Sequence, residues 1–232
     1  MGRSPDELKI IAVSKTVGFA EIEQAIAAGV HGFGENRTTP FKERCAAFPQ
    51  QEWHFIGMIQ TNKIKDFVGR AALVHSVASE RALRAIDVRM AAHVAQAALV
   101  TQAAHVAQTA PVVLDSRQPI LIEVNTSGEE SKDGISPSEL ETLLTVATSL
   151  EHVEVKGLMT MAPISNESVI RETFRVLREL RDAHAPRFRQ ADNIELRELS
   201  MGMSDDYEIA VEEGATIIRL GRALFARKTQ LG

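Results

Sequence analysis

Eight short, apolar, β-rich runs alternate with helical patterns along the whole chain, and this alternation restricts the fold more than any other feature. The runs cover 9–14, 32–34, 53–57, 73–77, 120–125, 155–161, 196–200 and 216–220. Helical segments are expected between them, over 19–28, 39–47, 62–68, 79 to about 109, 136–150, 168–185 and 205–213. Gly29, Gly69 and Gly214 stand where three of these close, as C-cap glycines do. Ser136-Pro137 with Glu139 reads as a capping box with proline in the first turn. Strands that alternate with helices pair in parallel. Eight such units in 232 residues predict a (β/α)8 TIM barrel, as a single domain over 1–232. An open doubly wound sheet is the alternative. It favours fewer strands and a glycine-rich first turn, and the first turn here is SKTVGF.

The chain is 44% hydrophobic and 25% charged, a globular balance, and is long enough to bury a core without disulfides. Its one cysteine, Cys45, reads as a small apolar residue on a helix, and such usage fits a reducing compartment. The net charge of −5 and the lack of a basic stripe argue against nucleic acid as a partner. No apolar run approaches the roughly 18 residues of a membrane span. The opening MGRSPDELK lacks a signal peptide's apolar core, and Asp6 stands where a myristoylation motif takes Ser or Thr. A soluble, cytoplasmic protein is expected, and no coiled-coil seam argues against a monomer. AAHVAQ occurs at 91–96 and again at 103–108, a duplication that lengthens one outer helix. His93 and His105 in it read as solvated surface, and no metal site is expected.

Barrels of this kind work at the C-terminal ends of their strands. Those ends carry Ser14-Lys15, then Gly34-Glu35-Asn36-Arg37, and the stretch from Trp53 through Gly57 to Lys63. They continue with Glu123-Val124-Asn125-Thr126, Met159-Thr160-Met161, Ser200-Met201-Gly202-Met203-Ser204 and Arg219-Leu220-Gly221-Arg222. A rim lysine is often plain solvated surface. Lys15 differs in following an apolar strand directly, so its stem is expected to start in the core. Partial desolvation favours the neutral amine that attacks an aldehyde. SMGMSDD runs from a strand into a helix start, with Gly202 for close backbone approach and Ser204 as an N-cap. LGRA after the eighth strand resembles it. Each is an ordinary capped turn or half of a phosphate cradle, since loops seven and eight commonly bind phosphate in barrels. Asp205 and Asp206 count somewhat against a bare anion site unless they point outward. Arg219 shares a strand face with Ile217 and needs an acceptor, either a neighbouring carboxylate such as Glu123 or Glu198, or a ligand atom.

These motifs, taken together, resemble the pyridoxal 5′-phosphate homeostasis protein family. The matching pieces are AVSKT (12–16), FGEN (33–36), WHFIGMIQTNK (53–63), VNTSGEESKDGI (124–135), GLMTMAP (157–163), LSMGMSDDYEIAVEEG (199–214) and IRLGRALF (218–225). They occur in order over nearly the whole chain. The resemblance implies a barrel of the alanine-racemase N-terminal-domain type carrying pyridoxal phosphate. It implies Lys15 as the Schiff-base lysine, and Ser200, Gly202, Met203 and Ser204 around the phosphate with Gly221 and Arg222. It puts Arg219 at the pyridine nitrogen and Asn36 near the ring. An arginine there disfavours ring protonation and weakens the cofactor as an electron sink. This chain departs from the pattern in having Arg37 where members often have Tyr, and Arg222 where they often have Thr. About eight residues precede strand one, where members carry a helix, so the barrel is expected to be less covered there. Segment 87–118 looks longer than usual.

The implied function is to bind, buffer or deliver the cofactor, with apo-forms of cofactor-dependent enzymes as partners, in vitamin B6 and amino-acid homeostasis. No catalytic residue is assigned. A racemase-like enzyme is the alternative, and an interaction module using the cofactor as a signal is a third. Racemisation needs a second acid/base opposite the lysine. The sole tyrosine, Tyr207, falls on a helix beside the phosphate loop, and His54 reads better as a hydrogen-bonded core residue. The chain also ends soon after strand eight, leaving no room for the β-domain that such racemases append.

Overall fold

A computed structural model of the chain describes Ser4 and residues 7–106, 116–129 and 132–225. Eight parallel strands close into a barrel in chain order, and the eighth pairs back onto the first. They are β1 (Lys9–Val13), β2 (Gly32–Glu35), β3 (Glu52–Phe55), β4 (Leu73–Val77), β5 (Gln118–Glu123), β6 (Val153–Met159), β7 (Ile194–Ser200) and β8 (Ile217–Leu220). The closed order excludes the open sheet. It also makes β7, β8, β1 and β2 four consecutive staves, so the loops after them share one part of the rim.

The helices are α1 (Phe19–Ala27), α2 (Thr38–Ala47), α3 (Glu80–Val106), α4 (Leu140–Ala147), α5 (Glu167–His184), α6 (Tyr207–Glu212) and α7 (Arg222–Phe225). Their starts follow local hydrogen-bond chemistry. Ser136 N donates to Glu139 Oε2 at 2.8 Å, the expected capping box, though the first turn there, Pro137–Glu139, is a 3₁₀ turn. Asn166 caps α5, its Oδ1 accepting from Val169 N at 3.2 Å. The helix expected over 62–68 is a 3₁₀ segment, Thr61–Asp66, and α6 starts two residues later than expected. The expected end of the long helix near residue 109 lies outside the described residues.

Two apolar layers hold the barrel. The larger packs strands against helices, with Phe33 stacked on Trp53 (5.1 Å between ring centres) and Phe55 on Phe67 (4.2 Å). The smaller, of Ile11, Leu73, Leu121, Met159 and Ile217, is drawn from the opposite faces of their strands. Gly32 and Gly34 make room for Ile11, since a Cβ at either would meet its side chain at 2.9 Å. Cys45 is half-buried on α2, and burial pushes its thiol up to about 12. His93 is half-buried rather than solvated; its ring lies where a Cβ on Gly69 would come within 2.5 Å. The His105 side chain lies outside the described residues. Among the described residues there is no metal-binding group of His, Cys, Asp or Glu, and no helix is long and apolar enough to cross a membrane.

Gly157 sits where β6 and β7 approach most tightly, at a register shift, and a Cβ there would fall on the Glu198 backbone carbonyl. Backbone cannot rotate away, so Gly157→Ala is expected to cost at least about 1–3 kcal/mol. A lower urea midpoint with an unchanged slope is the expected result, and wild-type stability would refute this reading of the β6–β7 contact.

Candidate functional site

The rim at the C-terminal ends of β7, β8, β1 and β2 carries the candidate cofactor residues, from Lys15 and Asn36 to the loops after β7 and β8. Lys15 leads a tight turn closed by Val17 N on Ser14 O at 3.0 Å. The lysine is exposed, not partly desolvated as its strand-end position suggests, and among the described residues its amine has no ion pair or hydrogen bond. Its backbone is nevertheless fixed. Arg44 on α2 donates to Ser14 O (2.8 Å) and Val17 O (2.7 Å), and pairs closely with Glu35. Ser14 Oγ donates to Glu35 Oε1 at 2.6 Å. This buried clamp holds the turn from both sides. Gly221 lies beside Val13, its nearest neighbouring atoms being the Val13 carbonyl oxygen and Cβ. Lys15 follows two residues later, on the turn that ends β1.

The loops after β7 and β8 are tied to each other. Ser204 Oγ accepts from Ala223 N at 3.2 Å, so it bridges loops instead of capping α6. Arg222 is exposed and pairs with Asp205, which also points out. Asp206 turns inward, is buried, and accepts from Met203 N at 2.5 Å; burial raises its carboxyl. Met203 is exposed. Among the described residues the backbone N–H groups of Ser204, Asp205 and Arg222 have no acceptor, which leaves three donors on two facing loops. Gly202, at φ +95°, packs tightly against α6, where a Cβ would meet Ala210 Cβ at 2.6 Å. Donors of this kind suit a phosphate group.

Inside the mouth, Arg219 is 5% exposed. Its Nη1 donates to Ser200 Oγ (2.6 Å) and its Nη2 to the Thr160 carbonyl (3.1 Å). These are not the carboxylate partners expected from the sequence; Glu198 instead accepts from Thr216 Oγ1 at 2.5 Å. Burial lowers the guanidinium to about 10, so it stays cationic at neutral pH, helped by the charges of Glu123 and Asp206. Two of its five N–H groups are used in these bonds, which leaves donors for an acceptor such as a pyridine nitrogen. The donor set therefore fits the phosphate and ring of pyridoxal phosphate.

Asn36 is half-buried, and its backbone packs where a Cβ on Gly57 would collide with it. It lines a small hollow of about 190 Å³ with Arg37 and Lys63. His54 is buried and bonded to His75, the core role expected of it, while Tyr207 OH reaches only Glu208 (3.2 Å). Sequence reasoning missed Arg44, Glu35 and His75 as parts of the site. Glu35 stands within the GEN motif, but nothing local marks Arg44, which reaches the turn across 30 positions of sequence.

Glu123 is 4% exposed, and burial together with the charge of Asp133 pushes its carboxyl up to about 7. Between its ordinary 4.5 and about 7, the folded state keeps a proton that the unfolded chain releases. Its contribution to stability therefore falls as pH rises through that window and is level above it. Glu123→Gln should remove this slope, so that the variant gains on wild type between about pH 5 and about pH 8 in urea unfolding. An unchanged difference between the two across that range would contradict a protonated carboxyl.

The model of the alanine racemase N-terminal domain matches residues 2–228. A pyridoxal phosphate homeostasis protein of Aquifex aeolicus is 37% identical over 230 residues, covering 98% of this chain and 90% of that protein. One of Deinococcus radiodurans is 38% identical over 228 residues, covering 97% and 92%. The structure of PipY from Synechococcus elongatus with PLP bound superposes with a TM-score of 0.76 at 30% identity, covering 96% of this chain and 94% of that one. The barrel is thus of the alanine-racemase N-terminal type, and the chain belongs to the pyridoxal phosphate homeostasis protein family.

Proposed function

We propose that the chain, as one binding domain, holds pyridoxal 5′-phosphate as a Schiff base on Lys15 and buffers or delivers it to apoenzymes in the cytoplasm. The observation that carries this reading is Arg219, a buried guanidinium with unspent donors, beside a lysine turn and two loops with free amides. PLP bound to the PipY relative supports it. Condensation joins Lys15 Nζ to the aldehyde carbon and releases one water. In this reading the amides of Ser204 and Arg222 receive the phosphate, with Ser200, Gly202, Met203 and Gly221 shaping its surroundings, and Asn36 approaches the ring. A cationic Arg219 at the ring nitrogen keeps that nitrogen unprotonated, so the bound group is a poor electron sink. Storage fits that electronic state better than turnover.

A racemase-like enzyme is the second reading, and Glu123 favours it, being a buried carboxyl that titrates near neutrality. Two measurements separate the cases. Borohydride treatment of cofactor-loaded protein should fix the cofactor's mass on the peptide containing Lys15. Label on Lys63 would overturn the assignment. With L-alanine in deuterated water, Cα exchange should not exceed a few equivalents per protein, whereas sustained turnover would establish an enzyme.

A further inference from the structure

A line of polar side chains crosses the barrel interior, and neither the lysine turn nor the phosphate loops account for it. Arg219 Nη1 lies 2.6 Å from Ser200 Oγ, and Ser200 Oγ lies 2.9 Å from His75 Nδ1. His75 Nε2 lies 2.8 Å from His54 Nδ1. His54 Nε2 is buried without a hydrogen-bond partner, 3.7 Å from Glu52 Oε2. That distance is too long for a hydrogen bond but suits an attraction between N–H and carboxylate. Glu52 in turn pairs with Lys9 at 3.0 Å, beside a cleft of about 810 Å³ at the other end of the barrel.

The direction of the line follows from its two ends, the Arg219 guanidinium and the Glu52 carboxylate. A guanidinium only donates, so Ser200 Oγ accepts from it. The serine oxygen has a second lone pair, so the Glu52 end of the line decides that the serine proton goes to His75 Nδ1. Burial lowers both imidazoles, the nearby Arg219 adding to this at His75, so both are neutral. A neutral His75 that accepts at Nδ1 carries its proton on Nε2 and donates to His54 Nδ1. His54 then carries its own proton on Nε2, directed at Glu52. The reversed line, with His75 Nδ1–H donating to Ser200 Oγ and His54 Nδ1–H to His75 Nε2, would leave a bare His54 Nε2 facing the Glu52 carboxylate, acceptor against acceptor.

We propose that His75, held by His54, is a positioning residue for Arg219: it takes the Ser200 proton and thereby keeps the serine oxygen facing the guanidinium that meets the cofactor's ring nitrogen. This rests on the cofactor reading above. Without His75, the serine hydroxyl rotates freely, and one of Arg219's two acceptors is no longer fixed.

The test has a ligand-free and a loaded arm. In the ligand-free wild-type protein, ¹⁵N spectra should show His75 and His54 protonated on Nε2; His75 protonated on Nδ1 would overturn the proposal. In the loaded arm, wild type and His75→Leu are titrated with pyridoxal phosphate and with its 1-deaza analogue, in which carbon replaces the ring nitrogen. His75→Leu should weaken pyridoxal phosphate roughly tenfold, the worth of one hydrogen bond to a charged group. It should also shift the visible band, and the deaza analogue should bind both proteins alike. His75→Asn keeps an acceptor near Nδ1 and should restore most of the lost affinity, which also covers a Leu variant that fails to fold. An equal loss for both ligands, or no loss for either, would overturn the proposal. Failure of wild type to form any Schiff base would instead refute the underlying cofactor reading.

Discussion

A guanidinium buried inside a closed barrel is the constraint around which the rim is arranged. An unpaired charge there would cost several kcal/mol, so Arg219 requires acceptors, and Ser200 and the Thr160 carbonyl supply two. Both lie at strand ends, on β7 and just past β6, which is where a parallel barrel presents its carbonyls and first loop residues. The cation moderates its surroundings in turn. Glu123 and Asp206 feel its charge, and it adds to the burial that keeps His75 neutral. Arg219 stands on β8, next in the barrel to β1, the strand that leads to Lys15.

The fold was largely legible because periodicity and punctuation agreed. All eight strands lie where the apolar runs lie, and the capping box at Ser136 formed as written. The misreadings were local. The 62–68 helix became a 3₁₀ segment that buries Ile64 and Asp66, and α6 started at Tyr207 rather than at Asp205. That the candidate residues meet at one rim was legible, and their contacts were less so. Lys15, Asn36, Ser200, Ser204, Arg219, Gly221 and Arg222 share one rim. Their contacts depend on strands that are neighbours only after closure. Ser204 bonding to Ala223, Asp206 turning inward and Arg44 reaching the Ser14 turn are all tertiary facts with no local signature.

The departures from the family pattern also have a physical reading. Arg222 offers no hydroxyl, and its guanidinium is drawn outward to Asp205, leaving only its backbone amide to face an anion. Lys15 is open to solvent while its backbone is rigidly clamped. An exposed amine on a fixed turn can meet an incoming aldehyde without a lid opening, and hydrolysis can return it as readily. That combination suits a store whose contents are exchanged.

The most direct measurement is a crystal structure of the protein grown with pyridoxal 5′-phosphate. The account predicts continuous density from Lys15 Nζ to the cofactor, phosphate oxygens on the amides of Ser204 and Arg222, and the ring nitrogen within hydrogen-bond distance of Arg219. Density joined to another lysine, or a ring nitrogen turned away from Arg219, would contradict it.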